Sequence, residues 1–132
     1  MTYLDTNILV YAAINNGKEG EKCRRLLTQI SHSDKDIMTS ILTWDELVYS
    51  IWKKEGREKA VQQGKEIFYF PNLRFLEADI KVIQKAQQII ENIGLKPRDA
   101  IHAATAILNN CSEIISDDPD FDKVKEIKRR PI

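Results

Sequence analysis

The chain reads as an α/β protein in which a mainly parallel central sheet of four to five short strands is sandwiched by helices. Three observations carry this reading. Short apolar stretches suited to strands alternate with longer segments of helical period. Five Gly and four Pro are few for an all-β domain with many tight turns. The hydrophobic content of 42% is enough to bury a core. Two domains would leave about 65 residues each, near the lower limit for an unstapled core, so residues 1–132 are expected to form a single domain.

The elements follow in order. Thr2 to Asp5 is the first strand candidate. Thr6 to Ile14 follows as a helix, with Asp5 or Thr6 as its N-cap. Lys18 to Ser31 is a second helix, its apolar marks Cys23, Leu26, Leu27 and Ile30 spaced for one face. Asp36 to Thr39 is a second strand. Ser40 to Lys54 is a third helix, striped by Ile41, Trp44, Val48, Ile51 and Trp52 and closed by Gly56. Arg57 to Phe70 is a fourth helix, stopped by Pro71. Leu73 to Leu76 is a third strand. Asp79 to Ile93 is a fifth helix ended by Gly94, and Pro97 to Leu108 a sixth with Pro in its first turn. Glu113 to Ser116 is a fourth strand, and Lys125 to Lys128 a candidate fifth.

Composition narrows the function classes. Twenty basic and twenty acidic residues give a formal net charge of zero. That argues against an overall basic field that binds nucleic acid indiscriminately, while leaving room for a local basic surface. Cys23 and Cys111 form no CxxC pair, so a zinc ribbon or a disulfide framework is not expected. The longest apolar run, Ile8 to Ile14, is far short of the roughly 20 residues of a membrane span. No secretory signal is visible at the N-terminus, and the expected setting is the cytoplasm.

The informative residues are acids at unusual places. Asp5 follows the first strand, and open α/β sheets bind ligands outside the carboxyl ends of their strands. As a lone residue it also reads as a helix cap. After the fourth strand, Ser116-Asp117-Asp118-Pro119-Asp120-Phe121-Asp122 packs four acids into a short stretch. Such a cluster repels itself unless it is solvated, caps turns or holds a cation. Asp99 opens the Ala-rich sixth helix, whose small side chains allow close approach to the sheet. Glu46 lies between Trp44 and Leu47 in the third helix; Asp45 beside it points about 100° away. Several carboxylates in one crevice, without a His/Cys set of zinc-like spacing, suit Mg²⁺ or Mn²⁺. His32 and His102 are isolated in sequence and read as structural.

These motifs, in this order, resemble PIN-domain nucleases. Leu4-Asp5-Thr6-Asn7-Ile8-Leu9-Val10-Tyr11 resembles the family's opening, and Thr39 to Leu47 its internal glutamate region. Asp99-Ala100-Ile101-His102-Ala103-Ala104-Thr105-Ala106 and Ile114 to Asp122 resemble its later acidic motifs. The likeness spans essentially the whole chain. Its length and lack of accessory segments resemble VapC toxins of toxin–antitoxin pairs.

The resemblance implies a PIN-like three-layer α/β/α sandwich and metal-dependent hydrolysis of RNA. It implies that Asp5, Glu46, Asp99, Asp118 and Asp120 are catalytic, with Asp5, Asp99 and Asp118 holding Mg²⁺ or Mn²⁺. The acidic segment is one residue shorter than the commoner family form, which leaves Asp117, Asp118 and Asp120 as alternatives for the fourth acid. Ser116 is expected to orient a neighbouring carboxylate, and Thr6 and Asn7 to fix the backbone around Asp5. Arg98 is the candidate for substrate contact. Implied partners are RNA, a cognate antitoxin and a second copy in a homodimer. Trp44, Tyr49, Trp52, Phe68, Tyr69 and Phe70 are expected to be mostly core, with some left for a partner. The rival readings are a housekeeping RNA-processing nuclease of the same fold and a non-catalytic binding module. A phosphotransfer domain similar to the haloacid dehalogenases would want a second Asp where Asn7 stands.

Overall fold

A computed structural model describes residues 1–132. The strands are β1 (Thr2–Leu4), β2 (Ile37–Ser40), β3 (Leu73–Leu76), β4 (Glu113–Ile115) and β5 (Lys128–Arg130). The helices are α1 (Thr6–Ile14), α2 (Lys18–Ser31), α3 (Leu42–Glu55), α4 (Arg57–Glu66), α5 (Ile80–Ile93) and α6 (Pro97–Leu108). Short 3-10 turns cover Ile67–Tyr69 and Pro119–Lys123.

The five strands form one sheet in the order β3-β2-β1-β4-β5, and every pairing is parallel. The strand rule of alternating faces then divides the core in two. Tyr3, Met38 and Ile114 point to one face and join α5 and α6. Leu4, Ile37 and Ile115 point to the other and join Leu9, Leu27, Ile30, Leu47 and Ile51 from α1, α2 and α3. This is the three-layer α/β/α sandwich that the alternation of elements predicts.

Small residues set the closest approaches. Ala100, Ala103, Ala104 and Ala106 of α6 are fully buried, so α6 sits tightly against the sheet and carries its first turn to the strand ends. At Gly20 in α2, a Cβ would lie 1.9 Å from the Asn15 carbonyl oxygen, so only glycine allows the chain to turn from α1 into α2 there.

Three expectations need correction. The fifth strand runs over Lys128–Arg130 rather than Lys125 to Lys128; Val124 and Ile127 are instead buried in the core below it. The fourth helix leaves α-geometry after Glu66 and tightens into a 3-10 turn before Pro71, because Pro71 disfavours helix in the residue ahead of it. Most of the aromatic set is not core: Trp44, Tyr49 and Trp52 are exposed on α3, and Phe68 and Tyr69 on the 3-10 turn after α4. Cys23 and Cys111 are buried free thiols.

Candidate active site

The site begins with β1 and β4. Their register pairs Leu4 with Ile115, which places the next residues, Asp5 and Ser116, side by side beyond the sheet. The Asp5 N–H donates to the Ile115 carbonyl at 3.1 Å, so the backbone is still tied where the side chain turns off. Asp5 occupies the N-cap position of α1, but its carboxylate makes no capping bond. It accepts a 2.6 Å hydrogen bond from Ser116 Oγ. The Ser116 hydroxyl oxygen in turn accepts the Asp118 N–H at 3.0 Å. One hydroxyl thus links the acid after β1 to the loop after β4. Burial raises the pKa of Asp5 against the opposing effects of Ser116 and His102, and the charges of Glu46 and Asp118 raise it further.

That loop and α6 build the second part. Asp118 caps the 3-10 turn, its Oδ1 accepting the Asp120 N–H at 2.9 Å. This aims both carboxylates at the first turn of α6. Asp99, Asp118 and Asp120 each offer an oxygen, and the three oxygens lie within 4.8 Å of one another. Asp99 pays electrostatically for this. Burial, then the charges of Asp118, Asp5 and Asp120, push its pKa up to about 6, with His102 opposing. Lys123 reaches Asp120 at 3.6 Å from the solvent side. Asp117 faces elsewhere, its Oδ1 accepting the Ile132 N–H at 2.9 Å. The geometry therefore groups Asp118 and Asp120 with Asp99 and leaves Asp117 as an anchor for the C-terminal tail.

Glu46 stands apart from that group. Its Oε1 accepts from Thr6 Oγ1 at 3.0 Å and lies 2.5 Å from His102 Nε2. His102 Nδ1 lies 2.6 Å from the Tyr3 hydroxyl. With the proton on Nε2, the imidazole donates to Glu46 and accepts from Tyr3, and the network closes. Behind it, Thr43 Oγ1 lies within hydrogen-bond distance of Thr6 and Thr39, and Thr39 donates to the Leu4 carbonyl at 3.0 Å. Burial alone would raise the pKa of Glu46. The hydrogen bond and charge of His102, the Thr6 hydroxyl and the Arg98 charge outweigh it, and the net shift is downward.

His102 is the residue that sequence reading missed. It is 1% exposed and touches Tyr3, Thr6 and Glu46. The available signal was its spacing, three residues after Asp99 on one helix face. Thr6 serves Glu46 and His102 rather than the backbone around Asp5, and Asn7 is exposed. Arg98 is exposed at the site's rim.

The arrangement fits a hard divalent cation. Its donors are all carboxylate oxygens. Burial and mutual repulsion together raise the pKa of Asp99, and the repulsive part is what a cation would relieve. The compact group is Asp99, Asp118 and Asp120, with Asp5 close enough to perturb Asp99 while held by Ser116.

Known proteins bear on this geometry in two ways. Solved structures with the same fold include VapC20 of Mycobacterium tuberculosis, described as a sarcin-ricin loop cleaving toxin. It is 16% identical, with 99% of this chain and 100% of that one covered and a TM-score of 0.82. VapBC2 of Rickettsia felis, bound to a promoter DNA fragment, is 23% identical over 99% and 98% of the two chains, with a TM-score of 0.74. FitAcB of Neisseria gonorrhoeae is 20% identical over 98% and 96%, also with a TM-score of 0.74. No curated protein sequence matches the chain. The PIN domain model matches residues 2–127. With nearly the whole sequence covered, and its acids gathered at the carboxyl ends of a parallel sheet, the chain belongs to the PIN domain family.

Proposed function

We propose that the chain is a divalent-metal-dependent ribonuclease acting as the toxin of a toxin–antitoxin pair. The observation that carries the catalytic reading is the convergence of Asp99, Asp118 and Asp120 from two separate elements onto one point beside buried Asp5. These carboxylates would hold Mg²⁺ or Mn²⁺, which when bound activates water and neutralises charge on a phosphodiester undergoing in-line displacement. Ser116 orients Asp5 through the bond to Oδ2. Glu46, kept ionised by Thr6 and His102, offers an acceptor for a water or a substrate hydroxyl at the rim. Arg98 provides a positive charge there for substrate phosphate. The products of such a reaction carry 3′-hydroxyl and 5′-phosphate ends.

The toxin reading is supported by the fold of VapBC and FitAcB complexes, which the chain shares over nearly its full length. It is also supported by the groove between α3 and α4. That groove is lined by Trp44, Val48, Trp52, Val61 and Phe68 and suits the apolar side of an antitoxin helix. A homodimer and a cytoplasmic setting complete the proposal; no helix is long and apolar enough to cross a membrane.

Cleavage of end-labelled RNAs by purified, antitoxin-free protein tests the reading, with Mg²⁺, Mn²⁺ or EDTA. Asp5→Asn and Asp99→Asn are each expected to lose on the order of 10²–10³-fold in rate. A 2′,3′-cyclic phosphate end would exclude the hydrolytic route. Failure to bind metal or cut any RNA would favour a binding module.

A further inference from the structure

Arg129 of β5 sits behind the acidic loop, outside every motif used above. Its guanidinium makes three hydrogen bonds. Nε and one terminal nitrogen donate to the two oxygens of Asp122 at 2.9 and 3.0 Å, a bidentate pair. The other terminal nitrogen donates to the Ser116 carbonyl at 3.2 Å. Ser116 and Asp122 are the two ends of the segment that carries Asp118 and Asp120. One side chain therefore spans the base of that loop. The backbone supports the same join, because the Ser116 N–H donates to the Arg130 carbonyl at 3.1 Å. The Arg129 side chain is 18% exposed, while the Asp122 carboxylate is 57% exposed, so the fork lies along the protein surface with its Ser116 bond on the inner side.

We propose that Arg129 is a positioning residue for the metal site. Through Asp122 and the Ser116 carbonyl it holds the loop in the shape that directs Asp118 and Asp120 at Asp99. The inference rests on the metal-dependent reading above. Geometry and charge make opposite demands here. Arg129 is a cation near a proposed cation site, and as a mere bystander its removal would strengthen metal binding. As a clamp, its loss lets Asp118 and Asp120 drift apart and weakens binding. Lysine keeps the charge but has a single nitrogen, so it cannot reproduce the bidentate grip on Asp122 alongside the Ser116 bond.

The test compares wild type with Arg129→Ala and Arg129→Lys. Mn²⁺ binding is read by calorimetric titration without RNA, and hydrogen exchange of residues 116–122 is read without metal. Both variants are expected to bind Mn²⁺ roughly tenfold more weakly, at the low end for lost partners of metal ligands. Both are expected to exchange faster across the loop. Unchanged or tighter Mn²⁺ binding in Arg129→Ala, or wild-type behaviour in Arg129→Lys, would overturn the proposal. A wild type that binds no Mn²⁺ would overturn the metal reading. Loop exchange then decides the clamp separately, and exchange unaltered in Arg129→Ala would refute it.

Discussion

Glu46 and Asp99 both feel the charge of His102, yet their surroundings drive them in opposite directions. Glu46 is met by the imidazole and the Thr6 hydroxyl, and its pKa falls although burial opposes this. Asp99 is half-buried beside Asp118, Asp5 and Asp120; burial first, then their charges, raise its pKa to about 6. The first carboxylate is satisfied by the protein itself. The second is left with other carboxylates for company. The same residue class thus serves two purposes within one crevice. A satisfied acid is a fixed acceptor. An unsatisfied group of acids is a binding site for what the chain does not supply.

Breaking the satisfied side should cost the most stability. His102→Phe keeps a planar aromatic ring, somewhat larger than imidazole, but leaves Glu46, Thr6 and the Tyr3 hydroxyl without their shared partner. A loss of about 2–4 kcal/mol, or roughly 7–14 °C in Tm, is expected from denaturant and thermal unfolding. Wild-type stability in this variant would show that the network is replaceable by water.

The unsatisfied side should behave in reverse. The folded pKa of Asp99 lies above its ordinary value of 3.8. Between about pH 4 and pH 6 the native state therefore holds more protons than the unfolded one, and stability falls as pH rises through that window. Asp99→Asn removes the cost. In metal-free protein at pH 7 the variant should melt roughly 2–4 °C higher than wild type, the shift being discounted for partial solvent screening. The gain should vanish by about pH 4. Equal melting of the two proteins at pH 7 would mean that solvent already screens the cluster. Stability is here traded for a site, as expected where like charges are gathered for function.

The smallest effect separates neighbouring acids. Asp117 bonds the chain end at Ile132, whereas Asp118 and Asp120 face Asp99. Asp117→Asn should leave RNA cleavage within about threefold of wild type, consistent with the small effects of surface changes away from such a site. Asp118→Asn should lose most of it. A large loss in Asp117→Asn would shift the fourth acid by one position and redraw the cluster.

Much of the frame was legible because its signals are local. Asp79 caps α5 by accepting the Val82 N–H, Gly94 ends that helix at φ +81°, and Pro97 starts the next. These depend on a few adjacent residues. Most of the acids were legible as candidates for the same reason, since Asp5, Asp118 and Asp120 follow strands and Asp99 opens a helix, whereas Glu46 sits within α3. Their grouping was not. Asp5 as a single residue suits a cap, and its backbone does occupy a cap position; only the β1–β4 register, joining residues 111 apart, gives its side chain to Ser116 instead. His102 looked isolated because its partners, Tyr3, Thr6 and Glu46, lie 99, 96 and 56 residues away in sequence.

The sequence by itself determined the alternation of elements, the caps and the list of acids, because periodicity and backbone preference act over a turn or two. It also carried the family likeness, in the order of four motifs. Tertiary structure alone decided the strand order, the partner of each acid, and which carboxylates are satisfied and which are set against one another. Those outcomes depend on distances across the sheet, and electrostatic and hydrogen-bond energies respond to separation in space rather than along the chain.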